Sequence, residues 1–183
     1  DEVADGRTRV PEAIAPGDAD NWWAKKRAAL GSALVLTSPG IPMLFQGQEL
    51  LEDRWFDDTV ALDWEKASTN RGILRLHRDL IALRRARDGS TLGLRGSNVA
   101  ILRADQDAGV LVMHRWMDGG PHDDTVVVAN FADRTIDDLP IGFPAAGRWS
   151  VRFNSDASAY APDFGSHEVF DLDAVGPPRD GCD

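Results

Sequence analysis

Apolar residues recur at helical spacing in the middle of the chain. The side chains that set this spacing lie three and four residues apart: Ile73, Leu76, Leu80 and Leu83, with Leu74 and Ile81 beside them. Such a stripe predicts an amphipathic helix from Gly72 to Arg85. Thr69 or Asn70 can cap its first turn, and Gly89 can stop it.

The first third of the chain predicts a loop, a helix and a short strand. Asp1–Asp20 is punctuated by prolines and glycines, so it is expected to be a long surface loop. Asp20 or Asn21 can cap a helix from about Trp22 to Leu36, and Pro39-Gly40 would end it. Ile41–Gln46 is apolar and flanked by turn residues, which predicts a buried strand. Gly47 follows it, where an unusual backbone angle or a close approach would require glycine.

Beyond about residue 98 the pattern changes to short β-branched and aromatic runs separated by turn residues. The runs are Val99–Leu102, Val110–His114, Thr125–Phe131, Trp149–Phe153 and Val169–Leu172. Their regular spacing predicts an antiparallel β-sandwich with Greek-key connections. We therefore expect two domains, 1–93 and 94–183. Because one strand–helix unit cannot bury both faces of its strand, the first domain is expected to be the end of a larger α/β domain.

Composition excludes several classes of function. The chain has 30 acidic against 20 basic residues and a formal charge of −10, which disfavours nucleic acid as a partner. A neutral polymer makes no such demand. Cys182 is the only cysteine, so an intrachain disulfide is impossible and a reducing, cytoplasmic location is expected. The apolar stretch 28–37 is too short to span a bilayer, and no membrane partner is expected.

No motif for a metal or a cofactor is recognised. The four histidines stand apart from one another and from any carboxylate pattern: His77, His114, His122 and His167. A phosphate-binding glycine loop and a Gly-x-Ser-x-Gly nucleophile motif are also absent from the sequence. We therefore expect no metal site and no cofactor.

One run is specific enough to indicate a family. Ser38–Glu49 reads SPGIPMLFQGQE, and it resembles the segment around the eighth strand of glycoside hydrolase family 13, the α-amylase superfamily. Asp1-Glu2-Val3 resembles the residues that follow Ser-His in the family's fourth sequence region, and Leu62-Asp63-Trp64 matches a downstream pattern. The resemblance covers essentially the whole chain and is most like the carboxy-terminal part of a bacterial 1,4-α-glucan branching enzyme.

The resemblance implies a fold and a place in it for each segment. Residues 1–93 would be the last strand–helix portion of a catalytic (β/α)8 TIM barrel, and residues 94–183 a carboxy-terminal β-sandwich, truncated before its final hairpin. The remainder of the barrel would be the partner of this chain. Cytoplasmic α-glucan metabolism, such as glycogen biosynthesis, would be its setting.

The resemblance also implies a role for Asp1. Retaining glycosidases use a nucleophile and a general acid/base about 5 Å apart, and in the family both come from earlier strands that this chain lacks. Asp1 matches the third family carboxylate, which would accept hydrogen bonds from sugar hydroxyls and stabilise the transition state. The chain alone is therefore expected to be inactive, although the parent would be an enzyme acting on glycogen, starch or maltooligosaccharides.

Four further residues are candidates for binding that substrate. Gln48 and Glu49 lie where the last barrel strand would end, at the face where barrel active sites lie. Trp55 and Phe56 follow in an acidic loop, where aromatic rings could stack on glucose. The alternatives are that Gln48 and Glu49 satisfy buried backbone groups, and that the two rings pack between domains. The other tryptophans are expected in the core or at interfaces.

Three reactions or roles remain open. Glu2 favours branching, in which an α-1,4 linkage is cleaved and an α-1,6 linkage is formed, because branching enzymes commonly carry an acid or amide there. An α-amylase or a maltooligosyl-trehalose trehalohydrolase would give the same covalent intermediate to water. A non-catalytic glycan-binding or packing module is the third interpretation. Donor chain length, branch spacing and oligomeric state leave no mark in the sequence.

Overall fold

The computed structural model describes residues 8–120, 123–175, 180 and 182. The chain divides into two compact units. The first consists of Asp1–Leu36, Pro42–Ile81 and Phe153–Glu168, and the second of Thr37–Ile41, Ala82–Arg152 and Val169–Asp183. The segment 153–168 therefore packs with residues that precede it by more than seventy positions in the chain.

The residues that the structure describes form four α-helices in the first half of the chain: α1 Val10–Ile14, α2 Trp22–Thr37, α3 Lys66–Thr69 and α4 Arg71–Arg84. Helix α1 corrects the expectation of a loop over the whole of Asp1–Asp20. Pro11 lies in its first turn, where the missing N–H of proline costs no helical hydrogen bond. The prolines that suggested a loop thus help to begin a helix.

Helix α2 begins and packs as its sequence predicts. The Asn21 side-chain oxygen accepts a hydrogen bond from the Ala24 N–H at 2.8 Å, which confirms a cap at this position. Its buried face consists of small residues spaced four apart and a final leucine: Ala24, Ala28, Ser32 and Leu36. Small side chains allow neighbouring backbone to approach this face closely.

Helix α4 presents the predicted stripe to the core, with Ile73, Leu76 and Leu80 at most 1% exposed. Its end differs from the prediction. Ala86, not Gly89, is the first residue after the helix in the left-handed region, with φ +46°, and its N–H bonds to the Leu83 carbonyl at 2.8 Å. The helix therefore ends at Arg84, where the hydrogen bond from the Ala86 N–H closes its last turn before Gly89 is reached.

Two apolar clusters form the core of the first unit. One combines Ala28 and Ile73 with Leu51, Ala161 and Phe164. The other combines Ala29 and Leu36 of α2 with Leu76 and Leu80 of α4. The partly buried rings of Phe153 and Tyr160 pack against these four residues. Since Tyr160 packs against both clusters, the late segment 153–168 completes the core of the early helices.

The buried strand predicted at Ile41–Gln46 is wrong for this structure. None of the described residues pairs with it as a strand, and Ile41 and Met43 are 98% and 63% exposed. A strand exists only where a neighbour accepts its backbone hydrogen bonds. The apolar pattern is real, but what would cover it is not among the described residues.

The β-structure lies in the second unit, and an antiparallel β domain is confirmed. Its strands are β1 Asn98–Asp105, β2 Val110–Trp116, β3 Thr125–Asn130, β4 Gly147–Trp149 and β5 Leu172–Ala174. The order β1-β2-β3 is an antiparallel meander, with Ile101 opposite Met113 and Val112 opposite Val128. Strands β4 and β5 form a separate antiparallel pair, and each shares only one residue with its predicted run, Trp149 and Leu172. The described residues contain no fourth strand returning to the meander, as a Greek key requires.

Buried Arg115 stabilises the meander through the backbone around it. Its side chain is fully buried and donates hydrogen bonds to the carbonyls of Asn98 and Gly96 at 2.9 and 2.6 Å. It also donates to the Thr37 carbonyl at the end of α2, where a cation is favoured by the helix dipole. Burial lowers the pKa of Arg115 from its ordinary value, and nearby Arg84 acts in the same direction.

Candidate functional site

The candidate site is a tight turn, Phe45–Glu52, which we call the 45–52 turn. It contains a short 3-10 helix, Gln48–Leu50, and Gly47 precedes this helix with φ +86°. A Cβ at Gly47 would lie 2.7 Å from Cβ of Glu52, and the Glu52 N–H bonds to the Gly47 carbonyl at 2.9 Å. The predicted need for glycine at this position is confirmed on both grounds.

The half-buried Gln48 side chain makes two hydrogen bonds, and a third extends the chain of bonds from Ser32 to His77. Its Nε2 donates to Oγ of Ser32 at 3.1 Å, and Ser32 in turn contacts Nε2 of His77 at 2.9 Å. The Gln48 Oε1 accepts a hydrogen bond from the Phe45 N–H at 3.2 Å. We call Gln48, Ser32 and His77 the Ser32 relay. It ties the 45–52 turn to α2 and α4.

The burial of His77 sets the protonation state of its ring and hence the directions of the hydrogen bonds in the Ser32 relay. His77 is 2% exposed, and burial lowers its pKa from the ordinary value, so the ring is neutral at pH 7. Its Nδ1 lies 2.9 Å from the Ile73 carbonyl, which can only accept, so the proton is assigned to Nδ1. Nε2 then accepts from the Ser32 hydroxyl, and that hydroxyl accepts from Gln48. Nothing in the sequence marks these three residues as partners.

Glu52 fixes the other end of the turn. Its side chain is 2% exposed, and its two oxygens accept hydrogen bonds from Nε and Nη2 of Arg54, both at 3.0 Å. Oε2 also accepts from the Asp63 N–H at 2.9 Å. Burial alone would raise the pKa, but these hydrogen bonds outweigh it and lower the pKa of Glu52 to about 2. Sequence reasoning passed over Glu52.

Arg9 packs against the aromatic side of the turn. Its guanidinium carbon lies 4.6 Å from the ring centre of Phe45 and 5.7 Å from that of Phe56, within cation–π range. Nη1 donates to the Gln46 carbonyl. Phe56 also packs edge-on against Phe45, with ring centres 5.2 Å apart. Phe56 thus lies in an internal aromatic–arginine cluster.

Glu49 and Trp55 are placed differently from Gln48 and Phe56. The carboxylate of Glu49 makes no hydrogen bond or ion pair with any residue that the structure describes, and the side chain is half-buried. Trp55 is 58% exposed. Asp1, the predicted transition-state stabiliser, lies outside the described residues. The structure therefore brings Gln48, Glu49 and Phe56 into one turn region and leaves the function of all five candidates a prediction.

Three other tryptophans, expected in the core or at interfaces, are partly or largely exposed, so an interface position for them stays a prediction. Trp22, Trp23 and Trp64 are 36%, 41% and 67% exposed. Trp22 and Trp23 contact each other edge-on, with ring centres 4.6 Å apart. In the second unit, His114 stacks on Trp116 and bonds to Asp124 at 2.7 Å.

Within residues 8–120, 123–175, 180 and 182, no three His, Cys, Asp or Glu side chains converge as ligands of a metal ion would. No helix in the same ranges has both the length and the apolarity needed to cross a membrane. The side chains of Gln48 and Glu52 in the candidate site form hydrogen bonds with other side chains and with the backbone.

Comparisons with known proteins relate both halves of the chain to one superfamily. Residues 101–175 match the family described as "Alpha amylase, C-terminal all-beta domain". The 1,4-alpha-glucan branching enzyme GlgB of Rhodospirillum rubrum is 34% identical over 167 residues, which is 87% of this chain. The chain is therefore similar to members of the α-amylase superfamily over most of its length. The predicted resemblance is thereby confirmed.

Two further relatives are similar to this chain to about the same extent. The protein of the same name from Burkholderia pseudomallei is 33% identical over 164 residues, and that from Pseudomonas fluorescens is 32% identical over 170 residues. They cover 87% and 88% of this chain. The chain spans about a quarter of their length, 22% in each of these cases.

A solved structure shows the same fold. The chain resembles part of the crystal structure of pullulanase from Anoxybacillus sp. LM18-11, with a TM-score of 0.62 and 23% sequence identity. The similarity covers 92% of this chain and 24% of the pullulanase. Because it extends over nearly the whole chain, it includes residues of both compact units.

Proposed function

We propose that this chain is the carboxy-terminal part of a 1,4-α-glucan branching enzyme. The parent enzyme cleaves an α-1,4 linkage, holds the released chain as a covalent intermediate and transfers it to a 6-hydroxyl, forming an α-1,6 branch. The observation that carries this proposal is the 32–34% identity to proteins of that name over 87–88% of the chain. The match to an α-amylase C-terminal domain at 101–175 supports the same assignment.

The proposal assigns the bond-breaking steps to residues outside this chain. Residues 1–93 are proposed to complete a (β/α)8 barrel whose remainder supplies the nucleophile and the acid/base. The apolar segment 41–46, with Ile41 98% exposed, supports this because a neighbouring barrel strand would cover it. Asp1 is proposed to stabilise the transition state through hydrogen bonds to sugar hydroxyls.

The contacts with substrate are proposed to come from the residues that the fold leaves available. Glu49 can accept hydrogen bonds from sugar hydroxyls, since no described residue binds its carboxylate. Trp55 offers an exposed ring on which a sugar can stack. Gln48 and Phe56 support these two residues by shaping the turn, because their side chains contact Ser32 and Phe45.

The substrate is proposed to be a neutral α-glucan of the glycogen or starch type, in a cytoplasmic setting. A formal charge of −10 imposes no penalty on an uncharged polymer, whereas it would repel a polyanion. No cofactor enters the reaction, because glycosyl transfer between carboxylates and hydroxyls is acid–base and nucleophilic chemistry.

Linkage analysis tests the proposal. The full-length parent protein is incubated with amylose, and new α-1,6 linkages are counted against new reducing ends. Branching produces α-1,6 linkages with few lasting reducing ends, since each cleaved chain is transferred. An increase in reducing ends without α-1,6 linkages would instead identify an α-amylase-type or trehalohydrolase-type hydrolase and would refute the proposal.

A further inference from the structure

Both chain neighbours of Glu49 are attached to buried polar side chains of the first unit. On one side, Nε2 of Gln48 donates to Oγ of Ser32 on α2 at 3.1 Å. On the other side, the Leu50 carbonyl accepts a hydrogen bond from Nδ2 of Asn70 at 2.9 Å, and Asn70 immediately precedes α4. The short 3-10 helix that carries Glu49 is therefore attached at each end to a different helical region.

These attachments lie entirely inside the first unit. Ser32 and Asn70 are 0% and 9% exposed, and His77, which accepts from the Ser32 hydroxyl, is 2% exposed. His77 is itself held by the Ile73 carbonyl at 2.9 Å. Because a buried donor or acceptor without a partner is unfavourable, these groups keep the partners they have. The position of the 3-10 helix is thus set by residues of this chain.

The backbone at the end of the 3-10 helix is strained. Leu51 follows it with φ +56° and ψ +42°, a left-handed conformation that is unfavourable for a residue with a Cβ. The side chain of Leu51 is buried in one cluster with Ala28 and Ile73, and its carbonyl accepts from Nζ of Lys66 at 3.3 Å. Strain that packing and hydrogen bonds maintain in this way is frequent at functional sites. Here it lies two residues from Glu49.

Polar groups are an unusual choice for holding a turn against a core. Buried hydrogen-bonded groups stabilise a protein little more than apolar groups of the same shape. Their advantage is direction, since a hydrogen bond fixes an angle as well as a distance. Glu49 also lies near His77, because its charge acts to raise the pKa of His77 against the larger lowering caused by burial. The directional contacts therefore surround the one carboxylate of the 3-10 helix.

We propose that Ser32, His77 and Asn70 are positioning residues for Glu49. They fix the 3-10 helix, so that the Glu49 carboxylate meets sugar hydroxyls in a single orientation and loses little further freedom on binding. The three buried side chains act through Glu49 and not on the substrate. This inference rests on the proposed function and adds to it the residues that hold Glu49 in place.

A double-mutant cycle on kcat/KM tests this role in the full-length parent enzyme with amylose as substrate. Ser32→Ala should lower kcat/KM about tenfold, since a displacement of about 1 Å at a reacting site can reduce the rate about a hundredfold. Glu49→Ala should lower kcat/KM about tenfold or more, because hydrogen bonds to a charged group are lost. The combined variant should lose no more than Glu49→Ala alone, because Ser32 acts only through Glu49. Asn70→Ala combined with Glu49→Ala should behave in the same way.

Two substitutions of His77 form a matched pair that does not depend on Ser32→Ala folding. The amide oxygen of His77→Gln can accept from the Ser32 hydroxyl in place of Nε2, whereas His77→Leu cannot. We expect kcat/KM near that of the unsubstituted enzyme in His77→Gln and a loss of about tenfold in His77→Leu. Circular dichroism checks that each variant is folded at the assay temperature.

Tyr160→Phe is the control for a general loosening of the first unit. It removes a hydroxyl that donates to Asp79 of α4 at 2.9 Å but keeps the ring, so kcat/KM should stay unchanged. A loss in this control equal to that in Ser32→Ala would indicate a weakened core and overturn the positioning role.

Three other results would also overturn it: losses that multiply in the combined variant, unchanged kcat/KM in either folded single variant of the cycle, or equal losses in the two His77 variants. The cycle is measured on whichever product the parent enzyme forms, new α-1,6 linkages or new reducing ends. Linkage analysis can therefore refute branching while the positioning role stands, and the cycle can refute the positioning role while branching stands.

Discussion

Gly47 is the residue on which the geometry of the candidate site depends most directly. Gly47→Ala should destabilise the chain by about 2–5 kcal/mol, because the left-handed backbone costs about 1–2 kcal/mol for alanine and the overlap with Glu52 adds about 1–3 kcal/mol. The overlap is a Cβ–Cβ distance of 2.7 Å. Urea unfolding followed by circular dichroism measures the free energy of unfolding.

Gly17 provides the matched control for this substitution. Its φ is +77°, close to that of Gly47, but nothing lies within 4 Å of an added Cβ. Gly17→Ala should therefore cost only the backbone term, about 1–2 kcal/mol. Equal losses at the two positions would mean that close packing against Glu52 contributes nothing.

Glu52 makes stability depend on pH. Its pKa is about 2 in the folded chain against 4.5 in the unfolded chain, so folding favours the ionised form. This contribution is complete above pH 4.5 and is lost as the pH falls towards 2. It amounts to at most about 3 kcal/mol, reduced by solvent screening because its partner Arg54 is half-exposed.

The variant Glu52→Gln isolates this effect. Unfolding free energies of the variant and the unsubstituted chain should differ clearly at pH 7 and converge only at about pH 2 and below. The same difference at both pH values would show that Glu52 acts through packing alone.

At the scale of elements, the Ser32 relay holds α2, α4 and the 45–52 turn together. Ser32→Ala removes the hydroxyl between His77 and Gln48 and leaves two buried polar groups without a partner. Each such group costs about 1–3 kcal/mol, so the expected loss of stability is about 2–6 kcal/mol. Ser68→Ala is the control, because Ser68 is an exposed residue of α3 and should change stability by less than about 0.5 kcal/mol.

A double-mutant cycle separates the relay from simple packing. If Ser32 and Gln48 act in series, the loss in Ser32→Ala combined with Gln48→Met is smaller than the sum of the two single losses. Additive losses would argue against the relay.

The segment 153–168 is a second element-scale feature, and Asp156 organises it. Its carboxylate accepts hydrogen bonds from the Gly165 N–H and the His167 N–H, both at 3.0 Å, and pairs with Lys26 of α2. These contacts outweigh the effect of burial and hold the pKa of Asp156 far below its ordinary value. The carboxylate is therefore charged and shared between the segment and α2.

Asp156→Asn should loosen this segment, because the amide cannot serve both Lys26 and two backbone donors. Limited proteolysis should cut the variant faster between residues 153 and 168, and stability should fall by about 2–4 kcal/mol. Asp163→Asn is the control, since that carboxylate pairs with Lys25 but is 44% exposed. Equal cleavage of the two variants would contradict the role of Asp156.

At the scale of the whole molecule, the chain is expected to bind substrate without turning it over. The nucleophile and the acid/base of a retaining enzyme are proposed to lie outside these 183 residues. We therefore predict no release of reducing ends and no new α-1,6 linkages when the purified chain is incubated with amylose. Turnover by the chain alone would show that its own carboxylates suffice.

Patterns of neighbouring residues along the chain, such as apolar periodicity and capping residues, predicted two helices and the three strands of the meander. Helices α2 and α4 lie within two residues of their predicted ends, and β1, β2 and β3 coincide with the predicted runs. Apolar periodicity shows which face of a helix or strand is buried. It does not depend on which part of the fold covers that face. The strand at Ile41–Gln46 failed because pairing depends on a partner, not on the apolar run itself.

Within the 45–52 turn, the sequence predicted only the residues that belong to a recognisable motif. Gly47, Gln48 and Glu49 were recognised because they end a run typical of the α-amylase superfamily. Arg9 and Glu52 were missed because isolated charged residues carry no periodic or motif signal. Their burial became visible only with the chain folded.

The amino-acid sequence by itself indicated the resemblance to the α-amylase superfamily through a motif. It also determined the helices α2 and α4, the meander strands and the need for glycine at 47, because each of these depends on neighbours in the chain. Tertiary structure alone decided the Ser32 relay, whose members lie up to 45 residues apart, and the addition of 153–168 to the core of the first unit. The physical reason is that hydrogen bonding and desolvation of buried polar groups depend on distance in space. Spacing along the chain does not encode that distance.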